Sequence, residues 1–270
     1  MTRSGQLEAP APAGVHSSFA EAVLTLTLSH PGKRNSLTTR MYAQLADAIA
    51  RAAGDDSVRA VVIRGDDDGG GFAAGTDIAS FADFSGAADG LAYERRVGEI
   101  LSALQDLTVP TIAEVRGAAV GAGLAIAASC DIVLAERGAV FGAPIARTLG
   151  NCLPAPVIAR IAARMGPARA LGMLLTASLV PAEDLVATGF VTRLAEPGQL
   201  EELTETTLRG IRRSAPLTLR AVKETVRRIE AATPIPDNED LLALCYGSDD
   251  FAEGVSAFLG KRHPHWKGTP

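Results

Sequence analysis

Two short stretches of small residues hold the chemistry this chain can do. The longer reads Val115-Arg-Gly-Ala-Ala-Val-Gly-Ala-Gly-Leu-Ala-Ile-Ala-Ala-Ser-Cys-Asp131. Its glycines at 117, 121 and 123 lead into a run of small helix-formers, Leu124 to Ser129. Small residues let another group approach the main chain closely. A helix start adds unpaired N–H groups and a partial positive charge. Such a place holds an anion, either a standing phosphate or an oxyanion that forms during a reaction. The dinucleotide fingerprint Gly-x-Gly-x-x-Gly matches at Gly121 and Gly123, but its third position is Ile126. The stretch also sits mid-chain rather than after the first strand of a βαβ unit, which disfavours that reading. An oxyanion hole needs a second N–H donor. The candidate is Phe72-Ala-Ala-Gly-Thr-Asp-Ile78, which follows the apolar run at 58–64.

Other reactive side chains are isolated. His16 and His30 have no nucleophile beside them, and no catalytic triad is visible. Cys152 lacks an activating histidine in sequence and reads as a structural thiol. His263 and His265 form His-x-His without a carboxylate or cysteine cluster, so they read as a chain end rather than a metal site.

The elements that must position these stretches follow from periodicity. Residues 22–28 alternate strictly, with Leu24, Leu26 and Leu28 on one strand face. Residues 58–64, 110–115, 132–135 and 190–194 are further short apolar strands. Met41, Leu45, Ile49 and Ala52 share a face of a helix over 38–53, and Val97, Ile100, Leu101 and Leu104 do so over 93–107. Residues 79–90 are small and polar and read as an irregular, mobile segment. Helices are expected at 154–165, 168–175, 181–189, 199–213, 216–231, 237–246 and 249–261. The class is α/β with an all-helical end.

The 270 residues, 47% hydrophobic, suffice for a sizeable core. A net charge of -5 argues against nucleic acid or an anionic membrane as partner. No apolar run is long enough to span a bilayer. Cys130, Cys152 and Cys245 are an odd, sparse set that suits a reducing cytoplasm rather than a disulfide framework. Residues 1–14 read as a disordered tail.

Taken jointly, the two glycine-rich stretches resemble the enoyl-CoA hydratase/isomerase (crotonase) superfamily. His30-Pro-Gly-Lys-Arg-Asn-Ser-Leu37 resembles its Pro-x-Lys-Arg-Asn-Ala-Leu. Cys130-Asp131-Ile132 and Phe141-Gly142 fall where its Cys-Asp-Leu and Phe-Gly-x-Pro-Glu do, and residues 251–262 resemble its C-terminal helix. The resemblance implies a core of repeated ββα turns, here over 15–198, and a helical region over 199–270 that trimerises. It implies an acyl-CoA thioester as ligand, with no cofactor beyond that coenzyme A, and a homotrimer or a dimer of trimers. The N–H groups of Thr76 and Ala122 become the oxyanion donors, flanked by Gly75, Asp77, Ile78, Gly121 and Gly123. The Ala74 carbonyl accepts from the adenine amino group. Lys33 and Arg34 border the adenine and phosphates, and Lys261 adds charge from a neighbouring subunit. Asp77 has a second reading as the cap of the turn that follows.

The chain departs from the resemblance at one point of chemistry. Hydratases of the superfamily hold and activate water with two glutamates. Their positions are Ala125 and Ile145 here, beside the acyl group, and the segment after Pro144 is one residue longer than usual, which leaves Arg147 a candidate for the vacated space. Four readings follow: an acyl-CoA lyase or isomerase, an acyl-CoA decarboxylase, a thioester hydrolase, or an acyl-CoA-binding paralogue without turnover.

Overall fold

The computed structural model describes residues 12–269. Its strands are β1 (Gly14–Ala20), β2 (Val23–Ser29), β3 (Ala60–Gly65), β4 (Thr111–Val115), β5 (Ala118–Val120), β6 (Ile132–Glu136), β7 (Val140–Gly142), β8 (Leu179–Pro181) and β9 (Arg193–Ala195). Its helices are α1 (Thr39–Ala53), α2 (Ala87–Asp106), α3 (Ala122–Ser129), α4 (Ile145–Thr148), α5 (Ala155–Met165), α6 (Pro167–Leu175) and α7 (Ala182–Val186), then α8 (Leu200–Arg213), α9 (Pro216–Ala231), α10 (Glu239–Tyr246) and α11 (Asp249–Leu259). The main sheet has the order β1-β2-β3-β4-β6-β9 and is parallel apart from the β1–β2 hairpin. A second sheet joins β5, β7 and β8.

Both faces of the main sheet are covered, which is why its central strands are largely apolar on both sides, with Glu114 of β4 a buried exception. Val61 and Ile63 of β3 face the large core under α1, α2 and α3. Their neighbours Ala60 and Val62 face the other way, onto Leu200, Leu208 and Ile211 of α8. This is the two-residue alternation of a pleated strand. Helix α1 buries Met41, Leu45, Ile49 and Ala52, the expected stripe, together with Tyr42 and Ala48. Thr38 caps it, Oγ1 accepting from the Met41 N–H at 3.2 Å.

The chain repeats one move. It runs along a main-sheet strand, pairs briefly in the second sheet, then turns into a helix. β4-β5-α3 and β6-β7-α4 do this in full. β3 does it with a single residue, Ala73, which pairs with Ala119 before α2. The strand β1 begins at Gly14, so the tail expected over 1–14 gives way to structure at its last residue; residues 1–11 lie outside the described residues. β1 was missed because all but its first two residues are exposed and it shows no alternation. Over 79–90 an irregular mobile segment was expected. A 3-10 turn occupies Ile78–Phe81 and α2 begins at Ala87, six residues earlier than expected. Asp89 holds that start by accepting from the Ser85 N–H and hydroxyl at 2.7 and 2.8 Å.

Helix α3 is held at its far end by cations. Arg160 Nε donates to the Ala128 carbonyl at 2.9 Å, and Arg164 donates to the carbonyls of Ala128, Cys130 and Asp131. These charges sit at the negative end of the helix dipole. Asp131 does a structural job beside them. Its Oδ2 accepts from the Thr111 N–H at 2.7 Å, the Thr111 hydroxyl at 2.9 Å and Lys223 Nζ at 2.7 Å, tying β4 to α9. Replacing Asp131 with alanine leaves a buried N–H without its acceptor and a mostly covered ammonium with only the Val109 carbonyl, at 3.0 Å, in place of a carboxylate. The expected cost is about 2–4 kcal/mol in urea unfolding, with Asp131→Asn losing less; a loss near zero would show the bridge to be of the exposed, weak kind.

Candidate active site

The two glycine-rich stretches meet side by side. The Ala73 N–H donates to the Ala118 carbonyl at 3.0 Å, and the Val120 N–H donates to the Ala73 carbonyl at 2.9 Å. On the other side, Leu37 pairs with Thr76: its N–H reaches the Gly75 carbonyl and its carbonyl accepts from Asp77, both at 2.8 Å. In that parallel bridge the N–H of Thr76 itself points away from Leu37. Ala122 is the first residue of α3, where N–H groups have no partner inside the helix. The first such bond is Ala125 N–H to Gly121 carbonyl, 3.0 Å. Among the described residues, neither the Thr76 nor the Ala122 N–H has an acceptor.

The closeness depends on glycine. A Cβ on Gly123 would stand 2.2 Å from the Ala73 carbonyl oxygen, inside any real contact. Gly121 has φ 56° and ψ −116°, a combination that side chains disfavour. A Cβ on Gly75 would lie 4.0 Å from the Ala122 nitrogen, which measures how nearly the two stretches touch.

The basic loop is fastened to the same place. The Ala74 N–H donates to the Arg34 carbonyl at 2.9 Å. Asn35, fully buried, donates through Nδ2 to the carbonyls of Asp66 and Gly71 at 2.8 Å each and accepts from the His30 N–H at 2.9 Å. Lys33 and Arg34 are exposed beside it. The Ala74 carbonyl accepts nothing among the described residues. Lys261 is exposed just past the end of α11. Asp77 accepts from the Ala79 N–H at 3.3 Å and caps the 3-10 turn that buries Ile78. Ala125 is buried on the first turn of α3, and Ile145 is half-buried at the start of α4. Arg147 is exposed, so it does not fill the space beside Ala125. Burial pushes the Cys152 thiol up to about 11, which leaves little thiolate for nucleophilic work.

The profile of the enoyl-CoA hydratase/isomerase family matches residues 18–269. The chain belongs to that family. It is 34% identical to the probable enoyl-CoA hydratase echA6 of Mycobacterium bovis over 93% of this chain and 98% of that protein. It is 31% identical to 1,2-epoxyphenylacetyl-CoA isomerase of Escherichia coli, over 93% and 97%. A solved methylmalonyl-CoA decarboxylase, bound to 2-nitronate-propionyl-CoA, superposes with a TM-score of 0.84 at 25% identity over 94% of this chain and 98% of that one. The crotonase fold expected from the sequence is the fold observed.

Sequence reading missed an aromatic cluster that packs beside the candidate site. Phe81, Phe84, Tyr93, Tyr246 and Phe251 pack with ring centroids 4.8–6.5 Å apart. They gather with Ile78 and Leu149, so the cluster borders both the turn after Thr76 and the helix of Ile145. Glu94 lies against it, buried, with the Tyr246 hydroxyl donating to its Oε1 and Asn151 Nδ2 donating to that hydroxyl at 3.0 Å. A signal existed: Glu94 stands three residues before Val97, on the apolar stripe of α2.

Burial pushes the Glu94 carboxyl from 4.5 up to about 7. The folded protein therefore holds a proton that the unfolded chain releases near 4.5. Stability is full below that value, falls as pH rises toward about 7, and levels above it. The effect is at most about 3 kcal/mol. Thermal unfolding of Glu94→Gln should lack this decline between pH 4.5 and 7; parallel wild-type and variant curves would contradict it.

Proposed function

We propose that this protein binds an acyl-CoA thioester and works by stabilising its enolate, with the N–H groups of Thr76 and Ala122 as the oxyanion donors. The observation that supports this most is the pair of unpartnered N–H groups on two touching glycine-rich stretches, one of them opening a helix. As the α-carbon loses a proton or a carboxylate, negative charge gathers on the thioester oxygen, and these dipoles need no reorganisation to meet it. Lys33 and Arg34 serve the phosphates, and the Ala74 carbonyl the adenine, with Gly75, Asp77, Ile78, Gly121 and Gly123 shaping the slot. Lys261 serves a coenzyme bound by a neighbouring subunit. The reaction class is a lyase or isomerase of acyl-CoA.

Ordinary hydration does not suit the site. Water addition needs a base for water and an acid for the α-carbon, each worth roughly 10²–10⁴ in rate. Alanine at 125 and isoleucine at 145 transfer no proton. A second reading is favoured by the likeness to methylmalonyl-CoA decarboxylase. In a decarboxylation the C–C bond breaks, its electron pair passes into the enolate, and carbon dioxide leaves without a protein base.

Calorimetry should give saturable binding of butyryl-CoA, weakened by salt. Crotonyl-CoA hydration should fall well below the usual range of roughly 1–10³ per second. Once a turnover is found by mass spectrometry of acyl-CoA mixtures, Ala122→Pro, checked for folding by circular dichroism, should lower it by about 10²–10³. Absence of binding at millimolar butyryl-CoA, or fast crotonyl-CoA hydration, would overturn this reading.

We also propose that the chain self-associates as a homotrimer or a dimer of trimers. Helix α9 buries no residue in the single chain, and Leu217, Val222, Val226 and Ile229 on it are exposed. Light scattering should give three or six times the 27.9 kDa chain mass; a monomer at micromolar concentration would contradict it.

A further inference from the structure

Next to Thr76 lies a cavity of about 140 Å³ between α1 and α2. That is room for about four or five waters, or a handful of acyl atoms. Phe84 and Val97 give it apolar surface. Its inner wall carries three hydroxyls. Thr76 Oγ1 is 2.7 Å from the Tyr42 hydroxyl and 2.5 Å from the Tyr93 hydroxyl. The two tyrosine oxygens are 3.4 Å apart, longer than an ordinary O–H···O bond.

The hydrogen count matters here. Two short bonds use two hydroxyl hydrogens, and the cluster has three. The remaining O–H has no good acceptor inside the triangle. Burial pushes the Tyr42 phenol up to about 12 and raises that of Tyr93 as well, so both stay protonated donors at neutral pH. At the rim, Asp89 is occupied by Ser85 and Arg96 faces outward, so the wall has no dominant charge. Thr76 is also the residue whose main-chain N–H is aimed at the thioester oxygen in the reading above. Its hydroxyl is thus within one residue's reach of the first acyl carbons.

The geometry points to a substrate whose acyl chain carries a neutral oxygen within a few carbons of the thioester, held by the hydroxyls of Tyr42 and Tyr93 beside Thr76. This rests on the acyl-CoA reading and narrows its substrate class. A plain hydrocarbon chain would leave the donor without a partner, and an unmet buried donor costs binding energy that an oxygenated chain recovers. The competing role is structural, a hydroxyl clasp joining α1 to α2.

Calorimetric dissociation constants for butyryl-CoA, 3-hydroxybutyryl-CoA and 4-hydroxybutyryl-CoA separate the two. At least one hydroxylated thioester should bind wild type about threefold to tenfold more tightly than butyryl-CoA. That ratio should fall toward one in Tyr93→Phe and reach it in Tyr42→Phe/Tyr93→Phe. A wild-type ratio of one for both hydroxylated thioesters overturns the proposal while leaving acyl-CoA binding intact, and it does so whether or not the double variant folds. An undiminished ratio in the folded double variant also overturns it. If none of the three thioesters binds wild type, the acyl-CoA reading fails and this inference fails with it.

Discussion

The contact between main chains at Ala73 and at 118–120 is the constraint on which the site depends. Two hydrogen bonds hold it, and Gly123 leaves the room for it. With the stretches so close, the N–H of Thr76, turned away from Leu37, falls beside the open start of α3. Neither stretch makes such a site alone. An extended segment offers one stray N–H, and a helix start offers several without a second wall. The rest of the fold secures this approach. β3 and β4 are adjacent in the main sheet, so the loops leaving them emerge together. Asn35 fixes the basic loop to the same edge, and Arg160 and Arg164 hold the far end of α3.

How much of this was legible follows from the length of each signal. Strands β2, β3, β4 and β6 and the long helices carry their pattern over five or more residues, and they were read. The second strands of the ββα turns are three residues long or a single pair, too short for alternation to register. This is also why the repeat is invisible as sequence: its shared feature is a main-chain pairing. β1 is an edge strand with mostly exposed side chains, held chiefly by backbone bonds to β2 and by the Val15 N–H to Gln44, so no alternation marked it.

The site divides in the same way. The glycine-rich stretches were legible because close approach of main chains restricts residue type locally. The aromatic cluster was not. Tyr42, Phe81, Tyr93, Tyr246 and Phe251 come from α1, the turn after Thr76, α2, α10 and α11, and only packing brings them together. Each alone reads as an ordinary core residue. Glu94 is the exception, since a carboxyl on an apolar stripe breaks the pattern it sits in. Asn35 gave a weaker signal, because a buried asparagine in a loop shows its value only when its three bonds are seen.

On the proposed reading, alanine at 125 and isoleucine at 145 also set the field of the site. A carboxylate about 6 Å from a forming enolate oxygen, at an effective dielectric of about 20, opposes it by about 3 kcal/mol. Hydratases accept that repulsion because the same group moves a proton. In the proposed mode of binding, the opening of α3 and two neutral N–H donors face the oxygen with no anion at those two positions. The arrangement supports negative charge in the substrate better than it supports proton transfer from the protein. Reactions that generate the enolate from within the substrate, by loss of carbon dioxide or by rearrangement of a bond to an acyl oxygen, ask for that balance. Hydration asks for the opposite one. On the proposed reading, alanine at 125 and isoleucine at 145 therefore give the site a different electrostatic balance within the same main-chain contacts, and the hydroxyls of Tyr42 and Tyr93 are neutral groups that leave it undisturbed.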